Sequence, residues 1–253
     1  FLFAEFGEGE ASFLFAEFGD GEVSFKRAKF GEGEVSFKRA KFGEGEVSFK
    51  YAKFGEGEVS FKRAKFGEGG VSFNSATVTA SISFLDTRFN VKSTVVLSDA
   101  ELRNDVTFGF SDDESVSYAQ YSLDFSGAAF HGELKFRSGT DSTTEAEQSD
   151  PGKPQFDFVY AGDVDFSDVI FPSGVDYSDA RFPPDADFTG ATLKGADFSG
   201  ADVTGTDDIS EAFFDGANLT GANFSHATLA GASFERARLS RAELLGANLA
   251  VHC

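Results

Sequence analysis

A phenylalanine returns every twelve residues through the first part of this chain, at Phe13, Phe25, Phe37, Phe49, Phe61 and Phe73. From Phe25 to Ser60 the unit FKRAKFGEGEVS runs three times, changed only where Tyr51 replaces arginine. A second phenylalanine (Phe30, Phe42, Phe54, Phe66) follows five residues after the first. Val23, Ala28 and Val35 stand two positions before Phe25, Phe30 and Phe37. Side chains at i−2 and i lie on the same side of a pleated backbone, so each pair predicts a short strand sending one small and one large apolar group inward. A fixed period of this kind is the mark of a stacked repeat architecture.

The chain of 253 residues uses 33 phenylalanines and neither tryptophan nor methionine. Ordinary cores mix shapes to fill irregular gaps; one aromatic used throughout points to one environment used throughout. Glycine at 28 and proline at 5 do not match a disordered, linker-type composition. The C-terminal part keeps a shorter beat. Central residues Phe214, Leu219, Phe224, Leu229, Phe234, Leu239, Leu244 and Leu249 are five apart, with an alanine two positions before each from Ala217 to Ala247. Phe188, Leu193, Phe198 and Val203 form a shorter run. A period of five fits neither a helix nor a long strand, whereas very short strands with a corner at every fifth residue do fit.

Tandems such as Ala217-Asn218-Leu219-Thr220-Gly221 resemble the pentapeptide-repeat family, and the Phe-rich units resemble its looser variant. The resemblance implies an all-β fold, a right-handed quadrilateral β-helix in which i and i−2 fill the interior while i−1, i+1 and i+2 face solvent. Physical chemistry supports it independently. Coils about 4.8 Å apart would stack each Phe on its counterpart one turn away, adding roughly 0.5–1.5 kcal/mol per aromatic pair beyond area burial. Outward Asn and Asp at i−1 hydrate the surface, and glycine at i+2 permits the corner. A flat twelve-residue coil would serve residues 1–73 alone. A coil with sides of five, seven, five and seven residues instead joins smoothly to one with four sides of five.

Three segments are expected. Residues 1–137 form a Phe-rich solenoid grading into irregular repeats, with later centres at Val78, Phe84, Phe89, Leu102, Phe108, Tyr118, Phe125, Phe130 and Phe136. Residues 138–155 contain no large apolar side chain and read as a flexible loop or linker. Residues 156–253 form a pentapeptide-repeat solenoid that can continue the first, resuming at Phe166, Phe171, Tyr177, Phe182 and Phe188, with Pro172, Pro183 and Pro184 at corners. Thr206-Asp207-Asp208-Ile209 breaks the five-beat and predicts a bulge.

If two twelve-residue units make one coil, residues 24 apart become vertical neighbours. That predicts columns Phe3–Arg27–Tyr51 and Phe15–Arg39–Arg63 on opposite sides, with Arg27 between two rings in a cation–π arrangement worth about 0.5–1 kcal/mol. Lys26 would sit above Lys50 and Glu22 above Glu46, like charges that destabilise mildly. Leu2, Phe3, Leu14 and Phe15 occupy the positions that hold Lys26, Arg27, Lys38 and Arg39 further on. They should point outward and form a candidate interaction patch, packing on upstream sequence or on a partner. Leu249, followed only by Ala-Val-His-Cys, leaves the other end bare as well. Either bare end offers a homodimer contact. The start at Phe1, already inside a repeat and without an initiator Met, reads as a fragment.

The formal charge is −20 and is unevenly spread. Residues 1–73 hold 13 acidic and 11 basic side chains; residues 74–253 hold 29 acidic and 11 basic. Such a surplus argues against direct nucleic-acid binding, which needs clustered Lys and Arg. It reads as a surface adapted to high salt, in keeping with salt-loving archaea, where the resemblance places such repeats beside other modules, membrane domains included. No stretch approaches the length of a membrane span, no signal sequence appears, and the cytoplasm is the expected compartment. Cys253 alone cannot form an internal disulfide. His131, His226 and His252 lie at outward or terminal positions with no converging ligand set, the Asp163–Asp168 cluster, Asp185 and Asp187 lack calcium-loop spacing, and the GEGEVS runs do not suit a phosphate cradle. No catalytic, cofactor or metal residue is therefore assigned and no enzyme is expected, a filled solenoid having no cleft. A non-catalytic structural or protein–protein interaction scaffold is the leading expectation. The alternative, drawn from the resemblance, is a DNA mimic that binds a DNA-binding enzyme such as gyrase.

Overall fold

The structure, a computed structural model, describes residues 1–109, 121–132, 134–137, 161–171, 175, 177–178, 182, 186–202 and 212–249, with the backbone alone at 135–137 and 161–163. These residues form a right-handed, four-walled β-solenoid of parallel strands. The first wall stacks β3 (Lys29–Phe30), β6 (Lys53–Phe54), β9 (Thr77–Val78), β12 (Glu101–Leu102) and β15 (Ala129–Phe130). The second stacks β1 (Ala11–Ser12), β4 (Val35–Ser36), β7 (Val59–Ser60), β10 (Ile82–Leu85), β13 (Val106–Gly109) and β16 (Leu134–Arg137). Single parallel bridges, Glu17↔Lys41↔Lys65↔Arg88, make the third. The fourth stacks β2 (Val23–Ser24), β5 (Val47–Ser48), β8 (Val71–Ser72), β11 (Thr94–Val96), β14 (Tyr121–Asp124) and β17 (Ala161–Asp165).

Strand register shows how the two periods join. Val23, Val47, Val71 and Val95 sit in one column at 24-residue steps. Near the other end Phe213 bridges Ser233 and Asn218 bridges Arg238, steps of 20. Coil length therefore falls from two twelve-residue units to four five-residue sides while the walls run on. Between them the steps widen: Val95 pairs with Leu123 and Leu123 with Val164. The expected linker 138–155 and the expected bulge at 206–209 lie outside the described residues, as do Val203, Tyr118, the three corner prolines and the ring of Phe136.

The interior is a set of aromatic files. Phe25, Phe37, Phe49, Phe61 and Phe73 are fully buried. Along the fourth wall Phe1–Phe25, Phe25–Phe49 and Phe49–Phe73 stack near-parallel with centroids 4.7, 4.9 and 4.9 Å apart. Leu97 takes the next place, since Val96 pairs with both Ser72 and Asp124. Phe125–Phe166, Phe166–Phe188, Phe188–Phe214 and Phe214–Phe234 then carry the file on. A matching file rises on the second wall through Phe13, Phe37, Phe61, Phe84 and Phe108. The two files meet edge to face, as for Phe25 and Phe37 at 5.5 Å and 78°. Both arrangements suit the ring quadrupole, negative on its face and positive at its edge.

Corners are built in two ways. In the five-residue sides Ala191 and Ala217 N–H donate to the carbonyls of Phe188 and Phe214, with Gly190 and Gly216 at φ of 71° and 68°. That is the type II turn, whose third position suits glycine. In the N-terminal coils the same turn, closed by Ala28 N–H to Phe25 O, holds Arg27 at φ 57°, and Phe15, Arg39, Tyr51 and Arg63 repeat it. A non-glycine residue there costs about 1–2 kcal/mol, so the expectation of glycine at i+2 holds for only part of the rod. The seven-residue sides turn through Gly-Glu-Gly. A Cβ at Gly31 would come within 2.5 Å of the Gly7 carbonyl oxygen, so successive coils approach too closely there for any side chain.

Phe49→Ala should destabilise the protein by about 3–5 kcal/mol, the range for deleting a buried ring, and Phe49→Leu by less than half of that, because Leu97 already serves in the same file. Urea unfolding of the two variants against the parent checks this.

Candidate interaction surface

With the interior filled, the outward rows are what this rod can offer a partner. On the second and fourth walls β2, β4, β5 and β7 present glutamate, serine and lysine in alternation with the inward Val and Phe. Lys38 Nζ lies 2.7 Å from Glu34, Lys26 2.8 Å from Glu22 and Lys50 3.1 Å from Glu46. Ser36, Ser48, Ser60 and Ser72 are buried, each with a strand of its own wall stacked on both sides, whereas Ser12 and Ser24, with a strand on one side only, are not. This corrects the expectation that every i−1 side chain faces solvent: neighbouring coils close over the short side chain. The Ser48 hydroxyl has no hydrogen-bond partner there. The expected stacking of Lys26 over Lys50 and Glu22 over Glu46 does occur, but opposite charges on each strand offset it. Hydrogen bonding to Glu34 raises the Lys38 pKa, and Glu22 does the same for Lys26.

The first and third walls carry lysine at mid-wall. Lys29 lies 2.6 Å from Glu5 one coil below, and Lys41 2.5 Å from Glu17. These bonds hold the Glu5 and Glu17 carboxyls below the usual range. At the glycine corners glutamates climb in a ladder, Glu32 N–H donating to Glu8 Oε2 and Glu56 N–H to Glu32 Oε2. Four edges thus alternate in sign: lysine and arginine at the tight corners, glutamate at the glycine corners.

The predicted columns are present. The Arg27 guanidinium sits 5.5 Å from the Phe3 centroid and 5.6 Å from that of Tyr51, and Arg39 sits 5.3 Å from Phe15. Leu2, Phe3, Leu14 and Phe15 are exposed by 50–58%. They fall on two opposite corners of the first coil, and Arg27 and Arg39 each cover one face of the Phe3 and Phe15 rings.

Several features escaped the sequence reading. In the five-residue sides the i−1 Asp and Asn hold corners as well as hydrating them: Ser167 N–H donates to Asp165 Oδ1 and Thr189 N–H to Asp187 Oδ1, each at 2.8 Å, and Ser225 N–H to Asn223 at 2.9 Å. This Asx geometry is encoded locally by an Asx two residues before the bonded N–H. A shallow groove of about 380 Å³ opens on the fourth wall among Glu46, Lys50, Ser72, Asn74, Thr94 and Ser98. Its signal was the departure from GEGEVSFK at Gly70 and Asn74, which ends the row of ion pairs. Among the described residues no group of three metal-ligating side chains converges, and no helix is long and apolar enough to cross a membrane. His252, Cys253 and Asp185 lie outside the described residues.

Comparison with known proteins bears on the repeats. A family described as pentapeptide repeats matches eight copies, over residues 184–207 and 217–250. No curated protein matches the chain. Among solved structures the chain is similar to HetL, a pentapeptide repeat protein involved in heterocyst differentiation regulation from the cyanobacterium Nostoc sp. strain PCC 7120, at 17% identity over 94% of this chain and 89% of that one, with a TM-score of 0.24. It is also similar to QnrB1, a plasmid-mediated fluoroquinolone resistance protein: 14% identity over 98% and 92% of the two chains, TM-score 0.26, for a trypsin-treated variant, and 14% over 92% and 91%, TM-score 0.25, at full length.

Because its folded-state pKa is depressed, Glu5 contributes stability that is present above the ordinary carboxylate range and is lost as pH falls through its lower folded value. Carboxyl titration by NMR should show Glu5 titrating at higher pH in Lys29→Met than in the parent, with Glu17 unmoved.

Proposed function

We propose that this chain, a right-handed β-solenoid carrying pentapeptide repeats, is a non-catalytic scaffold for protein–protein contacts. The observation that carries the reading is the division of labour across each strand. Rings fill the interior of the described coils, and their outward residues repeat at one coil spacing, so the surface works as a ruled rod rather than a cleft. Solenoids bind through such extended surfaces. The exposed apolar residues Leu2, Phe3, Leu14 and Phe15, on two opposite corners of the first coil, are the contact we assign to a protein partner, a second copy included. Exposed aromatic groups stiffened by stacked arginines can be buried against a partner at small entropic cost.

Leu14→Lys/Phe15→Arg restores at those positions the residue types found one coil later, so the fold tolerates it. The expected outcome is a loss of higher-mass species, or of partner capture, relative to the parent in sedimentation velocity and pull-down. Unchanged mass, solubility and capture remove the patch from the interaction surface.

A second reading, mimicry of DNA toward an enzyme such as gyrase, rests on the 29 acidic against 11 basic residues of 74–253. The ion pairs of residues 1–73 favour the scaffold instead, since a phosphate-like surface would not tie Glu5, Glu17, Glu22, Glu34 and Glu46 to lysines. A gyrase supercoiling assay in matched salt separates them: the scaffold reading expects neither inhibition nor protection from a quinolone, and either effect would establish the mimic.

A further inference from the structure

We infer that the second wall is a self-association face on which two copies of this chain lie side by side and parallel. The wall presents Glu34–Ser36–Lys38 on one strand and Glu58–Ser60–Lys62 on the next, one coil above. Ser36 and Ser60 are 3% and 1% exposed, so the wall meets a partner through its glutamate and lysine side chains rather than through the serines. One margin is a column of glutamates, the other a column of lysines.

That asymmetry selects the geometry. Closed dimers are built on a two-fold axis, which brings the same patch of both copies together. An axis perpendicular to the rod would turn one copy upside down and set glutamate margin against glutamate margin. An axis parallel to the rod, over the serine column, sets Glu34 of one copy beside Lys38 of the other at the same height, and Glu58 beside Lys62. Equal 24-residue steps in both copies keep these levels in register. The first and third walls do not suit this packing, because their mid-wall Lys29, Lys53, Lys41 and Lys65 would face each other. The fourth wall shares the pattern at Glu22–Lys26 and Glu46–Lys50 but opens at once into the groove beside Ser72 and Asn74. On the second wall Ser83 and Leu85 of β10 continue the surface. The existing ion pairs are exposed and individually weak, so sharing them across a contact costs little.

A charge-swap mixing experiment tests this. Glu34→Lys/Lys38→Glu/Glu58→Lys/Lys62→Glu reverses both margins while keeping one acid and one base on each strand. All chains carry Leu2→Lys/Phe3→Arg/Phe15→Arg, which clears the apolar corners apart from Leu14; Leu14 lies one coil below Lys38 on this same wall and is left unchanged in every chain, so the comparison reads the charged margins alone. Fluorophore-labelled parent is titrated with unlabelled parent or swapped chain near 0.15 M salt, where the Debye length of about 8 Å mutes repulsion between distant charges. Parent–parent and swapped–swapped affinities should agree within about threefold, and the mixed affinity should be at least about tenfold weaker, because like charges are then opposed. Mixed association equal to the parent's overturns the proposal, stronger mixed association overturns it in favour of an antiparallel contact, and absence of parent self-association up to 1 mM overturns it outright. Should the swapped chain fail to fold by circular dichroism, Lys38→Gln/Lys62→Gln replaces it: a loss of parent-type self-association upholds the contact and no loss overturns it.

Discussion

Ring-on-ring stacking at the rise of one coil is the constraint on which this architecture depends. Parallel strands repeat at about 4.8 Å, and phenylalanine rings one coil apart settle at 4.6 to 5.1 Å in the N-terminal files. The backbone spacing and the ring spacing agree, so a single side chain satisfies both, and substituting other shapes would gain nothing. Thirty-three phenylalanines with no tryptophan or methionine is the compositional trace of that agreement. The edge-to-face contact between the second- and fourth-wall files then locks opposite walls together.

Much of this was legible in the residues. The 24-residue coil, the Arg27 sandwich between Phe3 and Tyr51, and the exposure of Leu14 and Phe15 follow from counting, because a solenoid turns sequence distance into height. Leu97 was missed because the eye follows phenylalanine; its signal was Val95 two positions before it and its distance of 24 from Phe73. The buried serines were missed for a different reason. Burial of Ser36 goes with the strands stacked on both sides of it, and a positional rule for one residue contains nothing about how many coils flank it. The left-handed arginines are the third case. Propensity disfavours them, but the hydrogen-bonded turn from Phe25 to Ala28 over-determines the backbone, and stacking with Phe3 and Tyr51 offsets part of the strain.

The electrostatics of the rod divide along its length. Residues 1–73 hold 13 acidic and 11 basic side chains and tie Glu5, Glu17, Glu22, Glu34 and Glu46 to lysines, so they are close to neutral and patterned at short range. Beyond residue 73 acids dominate, and Asp124, Asp165, Asp187 and Asp197 serve as Asx locks at corners, a task that asparagine also performs at Asn218 and Asn223. The choice of aspartate over asparagine at those corners therefore sets net charge almost independently of the fold, which lets solubility be tuned without disturbing the walls.

The half-coil unit of twelve residues has a consequence for how such a rod can grow. Adding one unit advances the chain by two walls, so everything downstream would be swung to the opposite side, and a binding stripe would vanish from the face its partner reads. Adding two units lengthens the rod by a storey and returns every stripe to its place. Duplication in even numbers is thus a silent extension, while duplication in odd numbers re-aims the whole distal half, giving a lineage two quite different outcomes from the same genetic accident.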